Sequence, residues 1–230
     1  MDLTDAALDL FLGAACHGCG SPGRSPCAAC RAKLAPRPHR AERVPVALAG
    51  PDVPIVTGLR YVPPVPGFII AYKDHGAWQL TGTLGPVLWA ALRCLRVPPG
   101  TVLVPVPSSP AAVRARGFEH TWTLARWVSR RTGLPARRLL RRVREASDQV
   151  GQGARARLVA QRGTMAAVPG LALCSVVVVD DVVTTGATLA EAVRALAAGG
   201  HRVAGVIALA DTVPAATRAA GRARSSGPSG

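Results

Sequence analysis

The segment SVVVVDDVVTTGATL, residues 175–189, restricts the possible folds more than any other stretch of the chain. Four successive valines leave no polar position for a wet face, so the segment predicts a strand covered on both sides, as in a parallel sheet. Thr184, Thr185 and Gly186 then interrupt the apolar run. Ala187 to Ala198 has helical composition and stops at Gly199 and Gly200, residues that readily end a helix. Strand, tight loop and helix in that order place Asp180 and Asp181 at the carboxyl end of a buried strand, with a helix N-terminus just beyond.

The same alternation extends upstream and downstream. Trp78 to Leu95 and Phe118 to Thr132 read as helices, and Gly67 to Tyr72, Thr101 to Val106 and Arg202 to Leu209 as strands. Strands separated by helices predict an α/β fold with a mainly parallel sheet flanked by helices. With 230 residues the chain is long enough for one such domain and a small appendage. Residues 2 to 14 repeat apolar positions at helical spacing, and Pro36 to Pro66 reads as a proline-rich linker with an irregular hairpin. The expected division is 1–60 for an N-terminal module and linker, 61–213 for the α/β domain, and 214–230 for a disordered tail rich in Arg, Ser, Gly and Pro. The first fifteen residues carry no Lys or Arg, and no apolar run approaches the roughly 20 residues of a membrane helix. A cytoplasmic protein without membrane insertion is expected.

Cys16, Cys19, Cys27 and Cys30 have the spacing C-x₂-C-x₇-C-x₂-C, two knuckles able to converge on one tetrahedral Zn²⁺. Disulfides are the alternative, disfavoured in a cytoplasmic chain. Four protein ligands would leave no open position, so the zinc would be structural. His17, between two of them, reads as a solvated neighbour, and Cys94 and Cys174 as isolated core residues.

The loop after Asp181 has its own chemistry. Thr184, Thr185, Gly186, Ala187 and Thr188 offer hydroxyls and the amides of a helix start to a phosphate. Acids beside an anion site would repel a bare phosphate but would accept hydrogen bonds from vicinal ribose hydroxyls. A Walker loop and a dinucleotide fingerprint are both excluded, since neither G-x-x-x-x-G-K-[ST] nor a G-x-G-x-x-G after a strand occurs.

The formal charge is +15, and Lys33 and Lys73 are the only lysines. Arginine-rich coding bias is one reading; an anionic partner is the other. Thirteen arginines face three acidic residues between Arg114 and Arg162, a clustering that bias explains less easily. The stretch RRTGLPARRLLRRVR points to backbone binding of single-stranded DNA through Arg137, Arg138, Arg141 and Arg142, with Trp122 and Trp127 as stacking platforms or, alternatively, as helix core.

Together these residues carry a resemblance. VVVVDDVVTTGATL is similar to the 5-phosphoribosyl 1-pyrophosphate (PRPP) loop of type I phosphoribosyltransferases. The four N-terminal cysteines, YKDHG at Tyr72 to Gly76, VPVPSS at Val104 to Ser109, RARGFEHTWTLA at Arg114 to Ala125, and Gln149 to Arg162 narrow it to the ComF family of competence-associated proteins. The resemblance implies a type I phosphoribosyltransferase-like fold with a small N-terminal zinc module, acting in DNA uptake with other uptake proteins. It implies that Asp180 and Asp181 hold the ribose hydroxyls, directly or through Mg²⁺, and that Thr184 to Thr188 hold the 5-phosphate. Pro105, Val106, Pro107 and Ser108 would form the pyrophosphate loop, Lys73 and Arg116 would neutralise pyrophosphate, and a flexible loop from Arg144 to Arg157 would close over the site. Two readings stand beside it: an active transferase of nucleotide salvage, and a nucleic-acid adaptor with a relict pocket. Thr184 stands where purine-salvage members often have an acid. Gly163 to Met165 lack the family's usual Asn, and Glu119 and His120 replace its Asn or Gln after Arg-Gly-Phe.

Overall fold

The computed structural model describes residues 15–41, 53–144 and 159–212. The expected helix at 2–14, nearly all of the expected flexible loop and the expected tail lie outside the described residues. Five strands form one sheet in the order β1-β2-β7-β6-β3. They are β1 (His39–Arg40), β2 (Ile55–Arg60), β3 (Val102–Pro105), β6 (Ser175–Val183) and β7 (Arg202–Asp211). All neighbours pair in parallel except β1 with β2. That antiparallel pair is the hairpin expected within the proline-rich stretch, and the sheet takes in Ile55–Arg60 on the N-terminal side of residue 60. A separate two-stranded ribbon pairs β4 (Leu140–Arg142) with β5 (Met165–Ala167).

Both faces of the sheet are covered, which is why its strands tolerate continuous apolar sequence. Val177 and Val179 point into one core with Leu103, Ile207 and Leu209, and Val176 and Val178 into the other with Val102, Val104 and Val206. The first face is covered by α2 (Val65–Asp74), α3 (Thr81–Arg93) and α5 (His120–Thr132). The second is covered by α6 (Ala187–Ala198) and the ribbon. Two shorter helices are α1 (Ala28–Lys33) and α4 (Pro110–Arg116).

Two sequence readings are corrected. Gly67 to Tyr72 is not a strand but the body of α2, which continues to Asp74. An apolar run of this length fits either element. Pro66 in the first turn, where its missing N–H costs nothing, favours the helix, and Phe68, Ile69 and Tyr72 meet the core at helical spacing. Cys94 is exposed rather than core, because the buried stripe of α3 runs through Leu84, Val87, Leu88 and Ala91 and Cys94 is its C-cap. The helix expected from Trp78 begins as a 3₁₀ turn, Trp78–Leu80, before α3.

Among the described residues no helix is long and apolar enough to cross a membrane.

Candidate functional site

β3 stops pairing with β6 at Pro105, opposite Val179, whereas β6 continues along β7 to Val183. Asp180 and Asp181 follow at once on the side that β3 has abandoned, and a cleft of about 580 Å³ opens there. It is lined by Lys73 from the end of α2, Val106 to Ser109 after β3, Arg116, His120, Arg142 of the ribbon, Gln161, the two aspartates, Thr184 and Thr188. The expected carboxylates, cations and loops therefore meet in one place, although 115 positions separate Lys73 from Thr188 in the sequence. Pro105 itself stays in the strand, and Val106 N donates to Val179 O at 2.9 Å to keep the loop against β6.

The loop after β6 turns into α6 through Gly186, whose φ of +76° is left-handed and suits glycine. Its carbonyl accepts the Ala190 N–H at 2.8 Å, starting the helix. Thr184 and Thr188 line the cleft, whereas Thr185 Oγ1 accepts from Ala187 N at 3.4 Å and Ala187 is buried. The start of α6 thus lies beside the aspartates, with Thr184 and Thr188 on the cleft wall, the setting in which a helix N-terminus can receive an anion.

Both aspartates are almost wholly buried, at 7% and 4% exposure. Asp180 Oδ1 accepts from Asp181 N at 2.9 Å, and Asp181 Oδ1 from Val182 N at 2.8 Å. Burial, and then the neighbouring Asp181 charge, push the Asp180 carboxyl well above its ordinary range. Burial acts on Asp181 too, but His120 and the Lys73 ammonium outweigh it and hold that carboxyl well below. Lys73 Nζ lies 2.6 Å and His120 Nε2 3.3 Å from Asp181 Oδ2. Lys73 approaches as an ion pair and His120 as a close polar neighbour; neither has the directionality of a good hydrogen bond, so Oδ2 keeps unused acceptor capacity. For Lys73, burial would lower the pKa and the Asp181 charge more than restores it.

His120, Thr121 and Gln161 are cleft residues that sequence reasoning did not name as site residues. His120 was visible only as a departure from the Arg-Gly-Phe pattern. Arg142 also points to this cleft, its Nε donating to Pro107 O at 3.0 Å. Of the other arginines named for DNA, Arg137 and Arg141 are exposed. Arg138 binds Glu119 Oε2 at 2.9 and 3.1 Å and lies 4.0 Å from the Trp122 ring centroid. The four do not form one open row. Trp127 packs where a side chain on Gly85 of α3 would overlap its ring, which is helix packing.

The sulfur atoms of Cys16, Cys19, Cys27 and Cys30 lie within 4.8 Å of one another, and Cys19 Sγ is 3.7 Å from Cys27 Sγ. A tetrahedron with zinc–sulfur bonds of about 2.3 Å has edges of about 3.8 Å, so four cysteines in this arrangement can hold a zinc ion. Burial opposes ionisation of Cys16, yet backbone N–H groups around it bring its thiol down to about 6. Burial and then the neighbouring cysteines push Cys30 up to about 12. Without a cation the cluster cannot carry four thiolates. His17 is exposed, and Cys174 is half-buried beside β6.

Residues 122–225 match the family model for the phosphoribosyl transferase domain. The fold is phosphoribosyltransferase-like. The matched span contains Asp180 to Thr188 but neither Lys73, the loop at Pro105 to Ser108, nor the cysteines, whose convergence is a finding of geometry. Comparison with curated proteins gave no match.

Proposed function

We propose that the cleft binds PRPP and that the protein is a PRPP-dependent, phosphoribosyltransferase-like protein. The observation that carries this reading is the buried Asp180–Asp181 pair ahead of the Thr184–Thr188 loop, with Lys73 and Arg116 on the cleft wall. The aspartates accept hydrogen bonds from the ribose 2′- and 3′-hydroxyls, and the loop amides and the Thr184 and Thr188 hydroxyls hold the 5-phosphate. Lys73, Arg116, Arg142 and the segment Val106 to Ser108 receive pyrophosphate. In transfer, the C1–O bond to pyrophosphate breaks with its electron pair leaving on pyrophosphate, and a nucleophile bonds to C1. The acceptor's proton passes to solvent. The chain's contribution is orientation and fixed positive charge at the leaving group, with no covalent intermediate on the protein.

The donor set fits Mg²⁺: two hard carboxylates, one with unused acceptor capacity on Oδ2. Asp180 and Asp181 would hold the ion, which would draw negative charge from the pyrophosphate. The four cysteines would hold a structural zinc. Calorimetric titration with PRPP and Mg²⁺ tests the reading: the wild type should bind, and Asp180→Asn/Asp181→Asn should lose binding by about 100-fold or more. A folded, zinc-loaded wild type that takes up no PRPP would overturn it.

The finer reading, a ComF-like cytoplasmic protein acting in DNA uptake, is supported by the cysteine spacing and by the segments at Val104 to Ser109 and Arg114 to Ala125. Any contact with single-stranded DNA would fall on Arg137 and Arg141, the two arginines of the set that face solvent unpaired among the described residues. Reversing both charges should weaken DNA binding and flatten its salt dependence; unchanged affinity would remove the DNA part of the reading.

A further inference from the structure

His120 is a buried polar side chain of the cleft, and neither carboxylate chemistry nor phosphate binding accounts for it. It begins α5 and is 4% exposed. Its Nδ1 lies 2.7 Å from Arg116 NH1 and 3.3 Å from Ser108 Oγ, and its Nε2 lies 3.3 Å from Asp181 Oδ2. Its backbone carbonyl accepts from the Tyr72 hydroxyl at 3.3 Å. A guanidinium only donates, so Nδ1 must present its lone pair and the ring proton must sit on Nε2, facing the carboxylate.

This tautomer makes the imidazole a bridge between the two ends of the cleft. Arg116 is held at two points, since its Nε also donates to Ala112 O at 2.8 Å. Its remaining N–H groups stay available to a ligand. Asp181 Oδ2 faces the other end at 3.3 Å, a polar contact rather than a well-aligned hydrogen bond, and is backed by Lys73. Glu119, the preceding residue, is tied to Arg138, which steadies the start of α5.

Resting on the reading of the cleft as a PRPP site, we infer that His120 is a positioning residue for pyrophosphate: it fixes Arg116 on the cleft wall and links that arginine to Asp181. The role needs one acceptor and one donor on a single side chain. Glutamine offers both; phenylalanine fills similar space and offers neither.

The test compares PRPP, inorganic pyrophosphate and ribose 5-phosphate by calorimetry with Mg²⁺ present, using proteins whose folding is verified by thermal melting. His120→Phe should weaken PRPP and pyrophosphate by about 10-fold, the scale of a lost charged hydrogen bond, and leave ribose 5-phosphate within about 2-fold. His120→Gln should restore most of the pyrophosphate affinity. Arg116→Ala should weaken PRPP at least as much, and adding His120→Phe to it should cost little more, since the two act as one unit. Full additivity, equal weakening of ribose 5-phosphate, or no rescue by glutamine would overturn the role. Nitrogen NMR of the ring gives a ligand-independent check: a proton on Nε2 alone is expected, and a proton on Nδ1 would sink the bridge. A wild type that binds none of the three ligands while showing the expected ring state would instead refute the PRPP reading, and the pyrophosphate role with it.

Discussion

The cysteine cluster and the cleft both crowd groups of like charge, and they resolve the conflict in opposite ways. In the first, four thiols converge from 15 consecutive residues and nothing in the chain balances four thiolates. In the second, two buried carboxylates sit side by side, but the Lys73 ammonium, brought in by another element, already compensates one of them, and His120 faces the same oxygen. The cluster is therefore complete only with an external cation, whereas the cleft is partly self-neutralised and can stay folded while empty. A site made by local spacing depends on its metal; a site made by topology depends on the fold.

The largest expected effect breaks the first half of that contrast. Cys16 and Cys30 are buried in the same core as Phe68 and Tyr72, so losing the zinc exposes more than the loop itself. Cys30→Ala, or chelation, should cost roughly 4 kcal/mol and lower Tm by roughly 10 °C. Metal analysis should find one zinc per chain in the wild type and almost none in the variant. A folded protein without zinc, melting identically with and without chelator, would show the cluster to be dispensable.

The second prediction separates the two aspartates. Asp181 has a depressed folded-state pKa, so its stabilisation is present above the ordinary carboxylate range and is lost as pH falls through the folded value. Asp180 has a raised one, so its contribution is full at acid pH and is lost as pH rises through its folded value. At neutral pH without Mg²⁺, Asp181→Asn should destabilise by about 2 kcal/mol, because it leaves Lys73 without its partner. Asp180→Asn should stabilise by about 1 kcal/mol, since it removes a buried ionisation penalty. Both should lose PRPP binding. Denaturant titrations at neutral and mildly acidic pH read the signs directly, and two shifts in the same direction would refute the asymmetry.

The same contrast explains what was legible in the sequence. The cysteine spacing named all four candidate sulfur ligands, because they lie in one loop, at the N-cap of α1 and in its first turn. The buried strand β6, its acids and α6 were equally legible, since a doubly covered strand must be apolar throughout. The helix α2 was not: Phe68 to Tyr72 is apolar on nearly every side, and only the proline at its start separates helix from strand. His120 was not named as a site residue, and Arg142 was named for DNA rather than for the cleft, because their places arise from contacts across elements, His120 with Asp181 and Arg142 with Pro107, which no local spacing encodes.

A third test probes how the topology holds the cleft. Glu191 of α6, 3% exposed, accepts Met165 N at 3.0 Å and pairs with Arg194, which also donates to Met165 O at 3.1 Å. This clamp fixes the ribbon that carries Arg142 to the cleft. Burial opposes ionisation of Glu191, but Arg194 and the backbone donors outweigh it and hold the carboxyl below its ordinary range, so the clamp weakens as pH falls through that lowered value. Glu191→Ala should cost about 2 kcal/mol by leaving a buried amide and an arginine without their acceptor, and should weaken PRPP binding a few-fold. Unchanged melting would mean the ribbon is held by packing alone.

The smallest effect is expected at Arg138, and its smallness is informative. Arg138 and Arg142 lie four residues apart in the same basic stretch, yet one pairs with Glu119 on the surface and the other lines the cleft. An ion pair with a half-exposed arginine contributes little, so Arg138→Ala should change stability by only about 0.5 kcal/mol and leave PRPP affinity unaltered. Arg142→Ala should spare stability to a similar degree but weaken PRPP by about 10-fold, because it removes a cation from the pyrophosphate side of the cleft. Parallel titrations of the two variants decide the matter: equal losses would mean that the basic stretch acts through its overall field, whereas a loss confined to Arg142 would show that placement, rather than charge count, sets what each arginine does.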